Sequence, residues 1–233
     1  MNVIIKNIPN TITCLNLLSG CFACIFAFQG EYDWVALCIG LSALFDFLDG
    51  MAARLLHAYS PLGKELDSLA DLISFGLAPG LMAMYFMTHD SVFHGIDSGY
   101  QSWWALSALL IPVFSALRLA KFNIDTRQAT SFIGLPVPAN ALFWIGICQA
   151  GLHMEPRPCG YAIVALVIIF SLLLVSEIPM FSLKFKNLKL KENYLRYLIL
   201  VAAVLFLSLW GLAGLAATIG LYIVLSLLTA RKR

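Results

Sequence analysis

Asp46-Phe-Leu-Asp49-Gly50-Met-Ala-Ala53-Arg54, followed by Gly63-Lys-Glu-Leu-Asp67-Ser-Leu-Ala-Asp71, sets four aspartates within one short reach of chain. Apolar sequence flanks them on both sides, Trp34 to Phe45 before and Leu72 to Met87 after. A carboxylate carried into hydrocarbon costs several kcal/mol, so intramembrane aspartates mark function by default. Two pairs of them, on two consecutive apolar segments, make this stretch the centre of the molecule.

The surrounding chain supports the membrane setting. Of its 233 residues, 61% are hydrophobic and 12% charged, with a mean hydropathy of +0.86. An ordinary soluble domain carries about 25% charged residues. Apolar runs long enough to cross a bilayer then imply an all-α polytopic membrane protein. Spans are expected near 11–29, 33–57, 66–88, 102–122, 134–153, 160–180, 193–210 and 212–229. The last two divide one apolar run at Trp210-Gly211, where glycine weakens helix and tryptophan favours the interface. Met1 to Pro9 lacks a small-residue cleavage site at a suitable distance, so no cleavable signal peptide is expected. Cys14, Cys21, Cys24, Cys38 and Cys148 lie in apolar segments and read as small apolar residues. The Cys21-x-x-Cys24 pair lacks the histidines or second pair of a metal or redox site, and no structural disulfide is expected.

Eight spans put both termini on one side, and the basic residues agree. Lys6, Arg54, Lys64, Arg118, Lys121, Arg127, Lys184, Lys186, Lys189, Lys191, Arg196, Arg231, Lys232 and Arg233 share the side of the termini, and Arg157 alone falls opposite. By the positive-inside rule the termini are cytoplasmic. Six spans would also place both ends inside but leave the final long apolar run unexplained. Ser182 to Lys191 alternates lysine with apolar residues. It reads either as a plain cytoplasmic loop or as a basic segment drawn to anionic headgroups. With no internal repeat or linker, residues 1–233 read as a single transmembrane domain.

Asp46 and Asp49 are three apart, and Asp67 and Asp71 four apart. On helices, each spacing puts a pair on one face. Pro61 marks a boundary between the two segments, so the pairs face each other at the cytoplasmic ends of antiparallel helices. Four converging carboxylates repel unless protonated or neutralised by cations. Two divalent ions would balance them, and an all-oxygen ligand set suits Mg²⁺ or Mn²⁺. Such a pair of ions clamps a phosphoryl group. Gly50 and Gly63 would let a bulky ligand approach the backbone, and Arg54 can meet a phosphate through charge-assisted hydrogen bonds. Two other readings stand beside phosphoryl chemistry, a cation or proton-coupled transporter and structural ion pairing. Transport sites, however, favour the midplane and broken helices.

The full spacing D-x2-D-G-x2-A-R-x8-G-x3-D-x3-D, met at Asp46, Asp49, Gly50, Ala53, Arg54, Gly63, Asp67 and Asp71, resembles the signature of the CDP-alcohol phosphatidyltransferase family. That resemblance implies a six-helix transmembrane core, here about residues 8–182, with a C-terminal helical hairpin at about 193–229 added to it. It further implies a homodimer in the cytoplasmic (inner) membrane, with a two-metal site facing the cytoplasm. The implied reaction is attack by an alcohol hydroxyl on the lipid-linked phosphate of CDP-diacylglycerol, releasing CMP. Asp46, Asp49, Asp67 and Asp71 would hold the metals, and Asp71 would also be the general base. Gly50, Ala53, Arg54, Ser60 and Gly63 would meet the CDP moiety. Asn10 and Thr13 read either as capping residues at the start of the first helix or, by the resemblance, as nucleotide contacts. His57 reads as a solvated loop residue.

Members of the family differ in acceptor, among them serine, glycerol 3-phosphate, inositol and inositol phosphate. Ile8 to Thr13, Ala116 to Asn123, Phe132 to Ala139 and Val175 to Lys184 resemble the branch that takes L-serine, although Met180 departs from a commonly aromatic position. Arg118 and Lys121, three apart at a helix end, are candidates for the acceptor carboxylate or a lipid phosphate. The plain alternative is that they only set topology. Asn123 is a candidate for headgroup or cytidine, and Pro136 and Pro138 shape the start of a helix. The expected partners are CDP-diacylglycerol, L-serine and membrane lipids, with no nucleic acid.

Overall fold

The computed structural model describes residues 3–89, 103–125, 132–155, 158–181 and 190–230. Over these residues the chain is helical apart from two short strands: α1 Val3–Gln29, α2 Tyr32–Leu55, α3 Pro61–His89, α4 Trp103–Ile124, α5 Val137–His153, α6 Gly160–Val175, α7 Leu190–Trp210 and α8 Gly214–Ala230. Five stretches are long and apolar enough to cross a membrane: Asn7–Gln29 in α1, α2, α3, α4, and Asn193–Thr229, which α7 and α8 form together. The protein is an all-helical, multi-pass membrane protein. Residues 90–102, Arg127, Arg157, the lysine-rich 182–189 and Arg231–Arg233 lie outside the described residues.

Two faces of α1 explain its position. Pro9, Thr13, Asn16, Gly20, Ala23 and Ala27 recur every three or four residues and are buried, while Leu15, Leu18, Phe22 and Ile25 point outward. A stripe of small and polar residues lets neighbouring helices approach closely where lipid gives no hydrophobic drive. At Gly20 the approach is closest, since a Cβ there would lie 2.3 Å from Ser74 Oγ. Asn10 and Thr13 fall inside α1, so the capping reading of these two residues does not hold.

Helix α3 starts at Pro61, earlier than the apolar run near residue 66. Ser60 caps it by accepting from the Gly63 N–H at 3.0 Å, and Pro61 fills the first position, where its missing N–H costs nothing. At Leu72–Leu77 the helix widens into a π turn. Pro79 follows closely; it has no N–H for the Phe75 carbonyl, and its ring would press on that carbonyl in a regular α-helix. The wider turn relieves both.

Register between helices follows from close contacts. Helix α4 runs antiparallel to α3: Asn123 Nδ2 donates to Ser68 Oγ at 2.9 Å, and Ser115 Cβ would be 3.0 Å from a Cβ on Gly76. Helix α5 runs parallel to α3, with Gly151 against the Phe86 ring. Helix α8 lies antiparallel to α5, its Ala216 backbone N only 2.2 Å from a Cβ placed on Gly146. Gly211, at φ +56, and the 3-10 turn Gly211–Ala213 separate α7 from α8, where the Trp210-Gly211 break is expected.

Two expected spans end differently. Helix α6 stops at Val175, not near residue 180, because the Ser176 hydroxyl donates back to the Leu173 carbonyl at 2.9 Å and the chain then extends. The extended piece, β2 (Pro179–Met180), pairs antiparallel with β1 (Phe132–Ile133). Gly134, at φ +76, bends the chain out of β1, and Gly134 and Leu135 donate to the Ile178 and Leu173 carbonyls. Helix α5 therefore begins at Val137, capped by Pro136, rather than at 134. Around these elements the core is filled by Phe75, Met82, Phe86, Ile111, Leu135 and Trp144, all fully buried.

Candidate active site

Helices α2 and α3 meet through their carboxylates. Asp46, Asp49 and Asp67 each offer an oxygen within 4.8 Å of the others. Helix α1 braces them from behind. The Thr13 hydroxyl donates to Asp49 Oδ2 at 2.6 Å, which fixes that carboxylate's orientation. One turn along α1, Asn16 Nδ2 donates to Asp71 Oδ1 at 3.3 Å. Asn16 is held in turn: Ser74 Oγ lies 2.8 Å from its Oδ1, and Ser42 Oγ donates to its backbone carbonyl at 3.2 Å. Asp71 stands outside the trio, a turn further along α3 than Asp67.

The trio suits a divalent cation on its own chemistry. Three hard oxygen donors converge, and Asp67 Oδ1 is buried with no hydrogen-bond donor among the described residues. A buried carboxylate oxygen without a donor is rare in a finished structure; a bound cation would satisfy it.

Beside the trio opens a cavity of about 220 Å³. Asn10, Thr13, Gly50, Ala53, Ser60 and Gly63, six of the seven residues assigned to the CDP-lipid, line it together with Asp49 and Asp67. Arg54 does not line it; its Nε donates to the Gly50 carbonyl at 2.9 Å and the side chain is exposed. Gly63 plays a second part. A Cβ there would fall 2.9 Å from Asn10 Oδ1 and 3.0 Å from Ser60 Oγ, so the glycine lets α1 and the α3 cap close on each other. Tyr59 and Lys64 also line the cavity and were not legible as site residues, since Tyr59 carries no motif signal and Lys64 reads as one more charge that sets topology. His57 is exposed, with φ +49.

The acceptor candidates separate. Arg118 is buried, its guanidinium 4.9 Å from the Phe122 ring centre and in electrostatic reach of Asp71 and Tyr222. Lys121 pairs with Glu177 across to the segment after α6. Asn123 uses its amide to tie α4 to α3 through Ser68, and its carbonyl accepts from Lys64 Nζ at 2.9 Å. All six cysteines are free thiols.

Comparison with known proteins bears directly on this arrangement. The sequence matches the CDP-alcohol phosphatidyltransferase family over residues 6–230. The chain belongs to that family. A CDP-diacylglycerol–serine O-phosphatidyltransferase of Helicobacter pylori is 33% identical over 226 residues, covering 93% of this chain and 87% of the relative. Proteins of the same name from Bacillus subtilis and Methanocaldococcus jannaschii are each 36% identical, over 156 and 146 residues. They cover 67% and 62% of this chain, and 80% and 62% of the relatives.

Proposed function

We propose that this family member transfers the phosphatidyl group of CDP-diacylglycerol to L-serine, yielding phosphatidylserine and CMP. The observation that carries the reading is the carboxylate trio of α2 and α3, two of whose members, Asp49 and Asp67, line one cavity with Gly50, Ala53 and Gly63 of the motif. The names of the relatives support serine as acceptor over glycerol 3-phosphate or inositol.

In this reading Asp46, Asp49, Asp67 and Asp71 hold two divalent cations, Mg²⁺ or Mn²⁺. Bound there, the ions would neutralise the diphosphate and the charge that develops on the departing CMP. Gly50, Ala53, Ser60, Gly63, Asn10 and Thr13 receive the CDP moiety, and Arg54 waits at the rim for a phosphate. Asp71 takes the proton of the serine hydroxyl. The serine oxygen bonds to the phosphorus that carries diacylglycerol, and the bond from that phosphorus to the CMP oxygen breaks. Arg118 meets the acceptor from the far side of Asp71, with Lys121 and Asn123 supporting that end. Eight spans with cytoplasmic termini would open this site to the cytoplasm from the inner membrane, in a homodimer of single-domain chains whose 193–229 hairpin flanks the core.

Release of CMP from CDP-diacylglycerol by the purified protein, measured with each alcohol and with EDTA, tests the reading. Serine-dependent release that EDTA stops and Mg²⁺ or Mn²⁺ restores is expected. Release with glycerol 3-phosphate or inositol but not serine would overturn the acceptor.

A further inference from the structure

A second polar layer lies deeper in the bundle than the aspartates. Ser115 of α4 and Asn140 of α5 are fully buried, and neither the Ser115 hydroxyl nor either amide atom of Asn140 has a hydrogen-bond partner among the described residues. Buried polar groups are almost always hydrogen-bonded, and in hydrocarbon no water is at hand to serve them. Two such side chains in one bundle therefore ask for a polar occupant.

Helix register puts them at one depth. Ser115 touches the Gly76 position on α3. Helices α3 and α5 are parallel and meet at Phe86 and Gly151; eleven residues back on each stand Phe75 and Asn140. Helices α5 and α8 are antiparallel and meet at Gly146 and Ala216; six residues back on α5 is Asn140, and six onward on α8 is Tyr222. Tyr222 is buried, and its hydroxyl donates to the Phe181 carbonyl at 3.0 Å beside the Ser226 hydroxyl; with one lone pair facing Ser226, the oxygen keeps a second as acceptor. Ser115, Asn140 and Tyr222 thus share a level one helical turn, about 6 Å, beyond Asp71. Arg118, one turn from Ser115 on the same face of α4, stands between this level and Asp71. The cavity proposed for CDP is lined by Asp49 and Asp67 and by none of Asp71, Ser115, Arg118, Asn140 and Tyr222.

We propose that Ser115, Asn140 and Tyr222 form the floor of the acceptor subsite and select a small amino-acid alcohol. This rests on the reading of the protein as a serine phosphatidyltransferase. One turn matches the reach of serine from its hydroxyl, at Asp71, to its α-carbon substituents. The amide of Asn140 offers both a donor for the carboxylate and an acceptor for the ammonium, Tyr222 offers a second acceptor for the ammonium, and Arg118 closes the carboxylate side. The C-terminal helix α8 then belongs to the active site through Tyr222.

Steady-state kinetics of Asn140→Leu, Ser115→Ala and Tyr222→Phe, with thermal unfolding of each, test the proposal. Asn140→Leu removes an unsatisfied polar group at nearly constant volume, so it is expected to fold at least as stably as the parent while its KM for serine rises ten-fold or more. The two hydroxyl deletions are expected to raise the serine KM several-fold. In all three the KM for CDP-diacylglycerol and the metal concentration for half-maximal rate stay unchanged. An unchanged serine KM in Asn140→Leu, or equal rises in both substrates' KM, overturns the floor; should Asn140→Leu fail to fold, the two hydroxyl deletions decide by the same criterion. Absence of any serine-dependent CMP release by the parent protein overturns instead the reading on which it rests.

Discussion

Thr13 and Asn16 sit a turn apart on α1, and each hydrogen-bonds one oxygen of a different aspartate. Outer partners of this kind tune metal affinity by about 10–100-fold. Thr13→Val keeps the shape and deletes the hydroxyl; the concentration of Mn²⁺ or Mg²⁺ for half-maximal activity is expected to rise within that range, with the serine KM unmoved. Asp71→Asn keeps the size and removes the proposed base. Its kcat is expected to fall by about 10²–10⁴, while the CDP-lipid still binds, as equilibrium binding of a labelled analogue would show. The aspartates were legible because charge in an apolar run is conspicuous on its own. Asn16 was not, since one neutral amide in a helix carries little signal; its trace was the spacing Thr13, Asn16, Ser19, three apart on an otherwise apolar segment.

Among the elements, apolar length predicts the helices well, and their ends less well. The hydrophobic run locates α3 but misses its first turn, because Pro61 to Glu65 is polar and is set by the Ser60 cap instead. The pairing of β1 with β2 escaped notice since two residues are too few to show a period. Helix packing depends on glycines whose role composition does not reveal. Gly146 is one: its Cβ position lies against the backbone of Ala216, which cannot yield as a flexible side chain would. Gly146→Leu is expected to part α8 from α5 and cost about 1–3 kcal/mol or more, seen as a lower unfolding temperature in detergent.

For the whole molecule, orientation rests on charge placement. A reporter that fluoresces only in the cytoplasm, fused after Arg233, is expected to fluoresce, whereas one inserted after Met154, between α5 and α6, stays dark. A dark C-terminal fusion would overturn the eight-span arrangement. Exposed apolar side chains run along the helices, among them Leu18 and Ile25 of α1, Leu41 and Phe47 of α2 and Val201 and Val204 of α7, a surface suited to lipid. Composition made that apolar surface legible at once. What it could not convey was the depth at which the buried polar residues lie, because depth is a property of how helices slide past one another, and no single segment encodes it.

The π turn at Leu72–Leu77 acts on α3 as a phase shifter. One residue more per turn than the α-helix allows rotates everything beyond it by about 100° relative to an unbroken helix. The inner half can thus aim Asp67 at the carboxylates of α2 and Asp71 at Asn16 of α1 while the outer half aims Met82 and Phe86 into the core, two requirements that a straight helix would have to meet with one face. Deleting a single residue there would restore regular geometry and break that agreement, turning one half of the helix the wrong way without changing any side chain that touches substrate.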